Sequence, residues 1–253
     1  MEHLSSRPEA DPREGYNVRD RFAWFEIDAM WRQQDAVLEV LNVNGTEPRM
    51  VSIPEIDREF IVLPGVFSPE FPDARLLARA VGQEIVKGER VLDLGTGCGI
   101  QGIMAAKKGA RVLATDISPK AVKCAQMNTR RYGVKNFMEV REGDLFDGLD
   151  GKRFDAIIFN PPFRPFRPRC EDERASLDED YATLRRFFAE ARDHLNEDGR
   201  IISVFSNSGD LQYFESLVDA SGYQRGIITS VVGSYTYNAY RLTVPKGAEG
   251  RPA

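Results

Sequence analysis

From about residue 71 onward the apolar positions follow two alternating rhythms. Short solid runs, RVLDLG (90–95), RVLATD (111–116), FMEVREGD (137–144), FDAIIFN (154–160) and RIISVFS (200–206), have the length and content of buried strands. Between them, ARLLARAVGQEIV (74–86), IQGIMAAKKG (100–109), SPKAVKCAQMNTRRYG (118–133), YATLRRFFAEARDHL (181–195) and DLQYFESLVDASG (210–222) repeat at helical spacing. Ser118 and Pro119 suit a helix start, and Gly109 and Gly133 suit helix ends. The alternation predicts an α/β fold, a mostly parallel sheet with helices on both faces. The final runs, QRGIITSVV (224–232) and NAYRLTV (238–244), are joined by only a few residues, GSYTY. That is too short for a crossover, so they should pair antiparallel.

Before residue 71 the rhythm is less regular. Residues 1 to about 20 are rich in Pro, Arg, Asp and Glu and read as disordered, as does the tail 246–253. FAWFEIDAMW (22–31) is dense in aromatics and reads as a short helix, either packed on the main domain or capping a pocket. VLEVLNVNGTEPRMVSI (37–53) reads as a hairpin turning at Asn44-Gly45, and REFIVLPGVFSPE (58–70) as a further strand. Residues 1–60 are thus expected to form a small β-rich N-terminal extension to a main domain over 61–245.

Composition narrows the class. No apolar run approaches the ~20 residues of a membrane span, and the charged N-terminus has no secretory pattern, so a cytoplasmic protein is expected. The three cysteines, Cys98, Cys124 and Cys170, are far apart and match no zinc spacing. No metal is expected. A formal charge of −5 weighs against a nucleic-acid binder, which usually carries a basic face.

The candidate chemistry lies at strand ends. VLDLGTGCGI (91–100) is a strand running straight into Gly95, Gly97 and Gly99 and then a helix. Glycines there let the backbone turn sharply and approach a ligand outside the carboxyl edge of the sheet. Asp116 ends the second strand, where an acid can accept both hydroxyls of a ribose. Asp144 follows the third, placed near an adenine amine. Residues 97–102 also spell GxGxxG, the dinucleotide fingerprint, but the tight turn already falls at Gly95. The D-x-G-x-G-x-G arrangement from Asp93 resembles motif I of class I S-adenosylmethionine (SAM)-dependent methyltransferases. The resemblance implies a Rossmann-like sheet that binds SAM and releases S-adenosylhomocysteine. It implies cofactor contacts from Asp93, Gly95, Thr96, Gly97, Gly99, Asp116, Ile117, Asp144, Leu145 and Asn160.

Asn160-Pro161-Pro162-Phe163 ends the fourth strand. Two prolines make a stiff corner, which fixes the asparagine carbonyl and a neighbouring backbone carbonyl as acceptors for an NH₂ group. The ring of Phe163 can stack on a planar substrate. This corner resembles motif IV of methyltransferases that modify nitrogen on a planar group, including HemK/PrmC-like glutamine methyltransferases. The segment VLPGVFSPEFPDARLLARAV is similar to the one before motif I in HemK-like and small-domain (MTS) enzymes. Asn160, Pro161 and Phe163 are the implied catalytic residues. Pro162, Phe163, Arg164 and Arg167 are the candidate substrate contacts.

In RPFRPRCEDERASLDED (164–180), Arg164, Arg167 and Arg169 either bind a carboxylate or phosphate or pair with the acidic run that follows. His194 sits on a last helical turn and His3 in the N-terminal tail, so no acid–base residue stands out. Three classes remain: a methyltransferase of small molecules, one of macromolecules (a protein glutamine or a nucleic-acid base), and a nucleotide-binding protein of another kind. Residues 1–60 look too short and too β-like for the helical bundle with which glutamine methyltransferases bind release factor. N-methylation of a small molecule is therefore the narrowly preferred reading, with a macromolecular acceptor as the alternative. The oligomeric state is left open.

Overall fold

The computed structural model describes residues 11–41, 45–54 and 58–245. A short helix α1 (Val18–Arg21) leads into the long α2 (Trp24–Leu41). Strands β1 (Arg49–Ile53) and β2 (Arg58–Val62) then pair antiparallel as a separate ribbon. Next come α3 (Pro72–Glu84), β3 (Arg90–Leu94), α4 (Ile100–Lys107), β4 (Arg111–Asp116), α5 (Pro119–Arg131), β5 (Met138–Glu142) and β6 (Phe154–Phe159). The chain closes with α6 (Ala182–Glu190), β7 (Leu195–Ser206), α7 (Leu211–Ala220), β8 (Gln224–Val232) and β9 (Thr236–Thr243).

Seven strands form one sheet in the order β5-β4-β3-β6-β7-β9-β8. Strands β3 to β7 are mutually parallel, and β9 runs antiparallel to both β7 and β8. The mixed sheet expected from the alternation is therefore present, with the short 233–235 connection making the antiparallel hairpin. Chain order reverses at β3, which pairs with β4 on one side and β6 on the other. A crevice opens at such a point, outside the carboxyl ends of the strands.

The inward residues of β3 and β6 explain the two-sided core. Val91, Ala156 and Ile158 face α3, α4 and α5, while Leu92, Leu94, Ile157 and Phe159 face α6 and α7. Consecutive strand residues point to opposite faces, so solidly apolar runs are what a sheet covered on both sides needs.

The N-terminal region departs from expectation. Residues 37–41 are the last turn of α2, not the first arm of a hairpin, and Asn44 lies outside the described residues. The run VLEVL fits either period over five residues. Met30, Gln34 and Leu41 are buried along one helical face, and that face decides the outcome. The hairpin is made instead by 49–53 with 58–62, so the extension is mostly helical with one ribbon. Residues 11–21 are folded rather than disordered. Tyr16 packs edge-on against Tyr181 and Tyr213, at 4.7 and 4.6 Å between centroids. Arg21 bonds the buried Asp210 at 2.6 Å. One aromatic and one arginine anchor an otherwise polar segment. Residues 1–10 and 246–253 lie outside the described residues.

Candidate active site

The glycine loop is built around Asp93. Its Oδ2 accepts from the Thr96 hydroxyl at 2.6 Å and from the Gly102 N–H at 2.9 Å, and the residue is 1% exposed. Thus the acid inside β3 ties the loop to the first turn of α4. An ideal Cβ on Gly102 would stand 2.9 Å from that carboxylate and 2.6 Å from Met138 Cε. Gly102 therefore belongs to helix–strand packing. Gly102→Ala should destabilise the protein by about 1–3 kcal/mol and weaken SAM binding, read by denaturation and calorimetric titration. An unchanged SAM affinity would remove Asp93's hold on α4 from the cofactor site.

The three loop glycines have separate roles. A Cβ on Gly99 would meet Ala125 of α5 at 3.2 Å, so Gly99 serves packing. On Gly95 or Gly97 it would find no atom nearer than 3.9 Å, and both backbones are left-handed, φ +63° and +55°. Their bare backbones face open space, which fits a ligand lying against them. Behind the loop, Asn128 of α5 accepts from Ile61 N–H at 2.9 Å and donates to the carbonyls of Ile61 and Cys98, both at 2.8 Å. One buried amide joins the ribbon, α5 and the glycine loop, a role with no signature in the sequence.

At the β4 tip, Asp116 accepts from Gly97 N–H and Ser118 N–H, each at 2.9 Å. Each oxygen keeps a lone pair toward the crevice, which suits two ribose hydroxyls. Ile117 beside it is 44% exposed, an apolar face where an adenine could lie. Leu145 is buried with a left-handed backbone, φ +45°. Asp144 pairs with Arg186 at 3.1 Å.

Burial raises the Asp93 pKa to about 7, against the opposing hydrogen bonds from Thr96 and Gly102. Burial also raises those of Asp116 and Asp73. Aspartates of the unfolded chain titrate near 4. Between about pH 4 and about pH 7 the folded state therefore holds more protons than the unfolded chain, and stability falls as pH rises through that window. Asp93→Asn should flatten the decline of the denaturation midpoint with pH; an unaltered slope would mean that Asp93 does not titrate there.

The corner at the β6 tip is held from behind. The Tyr181 hydroxyl donates to the Phe163 carbonyl at 2.6 Å and accepts from Asp210 N–H at 2.9 Å. Asn160 donates from Nδ2 to Asp73 Oδ2 at 2.8 Å. Asp73 also takes backbone N–H bonds at the start of α3, which with the Asn160 bond oppose the burial that raises its pKa. Asn160 Oδ1 is buried and has no hydrogen-bond partner among the described residues.

Asn160 and Asp73 line a cleft, partly open to solvent, with Phe67, Phe71, Pro161, Pro162, Phe163 and Tyr237. Phe67 and Phe71 stack on each other at 4.7 Å. The aromatic walls suit a planar group. Phe163 is half-buried against Phe205 and Tyr237, so only part of its ring is available.

The arginine loop divides its members. Arg164 is 8% exposed and lines the cleft. Arg167 is exposed and does not line it. Arg169 pairs with Glu173 at 2.6 Å and Asp35 at 3.0 Å and lies over the Trp31 ring, so the acidic run does fold back. His194 stacks on Phe146, away from the cleft. Asp73, Asn128 and Tyr181 support the site without being singled out by the sequence; the NPPF corner, Arg164 and the segment before the glycine motif pointed to this region.

Comparison with known proteins adds four findings. The family model described as methyltransferase small domain matches residues 57–225. A candidate protein N5-glutamine methyltransferase of Methanocaldococcus jannaschii is 34% identical over 155 residues, covering 57% of this chain and 74% of that protein. Ribosomal RNA small subunit methyltransferase C of Alcanivorax borkumensis is 32% identical over 167 residues, 65% of this chain. The chain spans 47% of that relative's length. The 16S rRNA N2 G1207 methyltransferase of T. thermophilus, solved with AdoMet and guanosine, shares the fold at a TM-score of 0.58 and 24% identity, covering 79% of this chain and 50% of that one.

Proposed function

Because the chain belongs to the methyltransferase small domain family and is thus a SAM-dependent methyltransferase, we propose that it methylates the side-chain amide nitrogen of a glutamine in a protein substrate. The observation that carries a nitrogen acceptor is Asn160. Its amide is pinned by Asp73, and its buried oxygen, beside an aromatic cleft, has no hydrogen-bond partner among the described residues.

The relatives favour a macromolecular acceptor over the small molecule that the sequence alone placed first. Between protein and RNA, the charges beside the cleft favour protein. Arg169 is matched by Glu173 and Asp35, Arg174 by Glu171, and Lys120 by Asp172. RNA binding draws on cations that neutralise phosphates, and of the cations in this loop Arg169 and Arg174 are already paired, while Arg167 is exposed.

Bound SAM supplies an electrophilic methyl on a sulfonium. The Asp93-tied loop, Asp116, Ile117 and Leu145 would hold it along the β3 and β4 tips. Asn160 Oδ1 accepts one N–H of the substrate amide, and the stiff corner keeps the nitrogen facing the methyl. Such placement is worth up to ~7–11 kcal/mol in favourable systems. The aromatic walls hold the amide plane and exclude water.

Incubation with methyl-labelled SAM and a cell extract, split into protein, nucleic-acid and small-molecule pools, tests the reading. Label in protein is expected. Label confined to RNA or to small molecules would reverse it.

A further inference from the structure

Arg164 is the least expected residue in the cleft. Arginine is rarely buried without a charged partner. Here Nη1 donates to Gln34 Oε1 at 3.1 Å and Nη2 to Gln33 Oε1 at 3.3 Å. The two glutamines are themselves fixed: Gln34 donates to the Ser176 hydroxyl at 2.8 Å, and Gln33 to the Tyr235 hydroxyl. The backbone of Arg164 bridges to Leu177. Helix α2 thus supplies two neutral amides that hold the guanidinium fork still. An anion approaching the Nη1–Nη2 end would have to compete with them.

One guanidinium nitrogen is left without any partner. Arg164 Nε is buried and has no hydrogen-bond partner among the described residues, as is true of Asn160 Oδ1, and both residues line the same cleft. Buried polar atoms are nearly always paired, so two orphans of opposite kind in one cleft call for a common explanation. A primary carboxamide has the matching pair: an N–H donor and, on the same carbon, a carbonyl acceptor. A carboxylate lacks the donor. An alkylamine lacks the acceptor.

Resting on the glutamine reading above, we propose that Arg164 determines acceptor specificity: its Nε–H donates to the carbonyl oxygen of the substrate amide while the amide nitrogen donates to Asn160 Oδ1. Gln33 and Gln34 are positioning residues that hold the fork. A polarised carbonyl also tells the site which amide atom is oxygen, so the nitrogen alone is presented for methylation.

The test is nitrogen–proton NMR of arginine side chains in the full chain saturated with S-adenosylhomocysteine. The probes are acetyl-Gly-Gln-Gly-N-methylamide, whose only primary carboxamide is the glutamine side chain, its glutamate counterpart and guanosine. The Arg164 signal is identified by its loss in Arg164→Lys, or by its displacement in Gln34→Ala should the first variant fail to fold. The Nε proton should shift downfield with the glutamine peptide and stay put with the glutamate peptide. In turnover, Arg164→Lys should lower kcat/KM for a glutamine peptide about 10- to 100-fold with S-adenosylhomocysteine affinity unchanged. If the Asn160 amide signals move on adding the glutamine peptide while Arg164 does not, the proposal fails and the glutamine reading stands. If neither moves, or guanosine alone moves both, the proposal fails together with that reading.

Discussion

Asn160→Ala should lower turnover about 100- to 1000-fold, the loss typical of one preorganised polar group at a reaction centre, with SAM affinity within about twofold of the parent. The asymmetry follows from position. Asn160 ends β6, while the groups proposed to hold the cofactor end β3 and β4 or follow β5. Removing Asn160 also takes a donor from the buried Asp73, so a stability loss of about 1–3 kcal/mol should accompany the change. Turnover must therefore be measured well below the melting transition. Asn160→Asp is the informative companion. It keeps an oxygen toward the cleft but sets a second carboxyl against Asp73, and one of the two must stay protonated. Partial activity is expected. Equal loss of turnover and SAM binding in Asn160→Ala would show that the residue serves the cofactor and not the acceptor.

Gly209→Ala should be the most damaging small substitution near the site. An ideal Cβ there would stand 2.0 Å from the Phe163 carbonyl oxygen and 3.0 Å from the Tyr181 hydroxyl. The obstacle is backbone, not the end of a flexible side chain. That carbonyl is also the one that Tyr181 clamps. The corner must move or the β7–α7 turn must open. We expect a loss of about 3–5 kcal/mol in denaturant unfolding, in the range reserved for overpacking with a broken hydrogen-bond network. Any protein that folds should bind SAM yet turn over poorly, because the asparagine is displaced. Parent-like stability and turnover would mean that the turn has slack the packing does not suggest.

Much of the cofactor side was legible before the structure. Apolar runs as solid as RVLDLG and FDAIIF can only be strands covered on both faces, and glycines directly after such a run announce a tight turn at the ligand edge. The rigid corner was legible for a similar reason, since two prolines after an asparagine restrict the backbone wherever they fall. What was not legible depends on partners distant in sequence. Asp73 was not singled out in the sequence, yet it bonds Asn160, 87 positions away. Arg164 resembled its neighbours Arg167 and Arg169 as a surface anion binder. Burial and two glutamines from α2 make it something else. Gly99 and Gly95 looked equivalent in the motif, but only the latter leaves open space before it. The N-terminal helix was misread because VLEVL carries both periods at once, and only packing chooses between them.

The central claim is that the cleft places a methyl group on an amide nitrogen. The most direct measurement is acid hydrolysis of the labelled product. An N-methyl amide hydrolyses to a carboxylic acid and methylammonium, so the label should distil as methylamine once the hydrolysate is made basic, leaving unlabelled glutamate among the free amino acids. Label that leaves as methanol would indicate an ester, and label retained on a nucleoside or on a basic amino acid would indicate another acceptor. Either result would contradict the account.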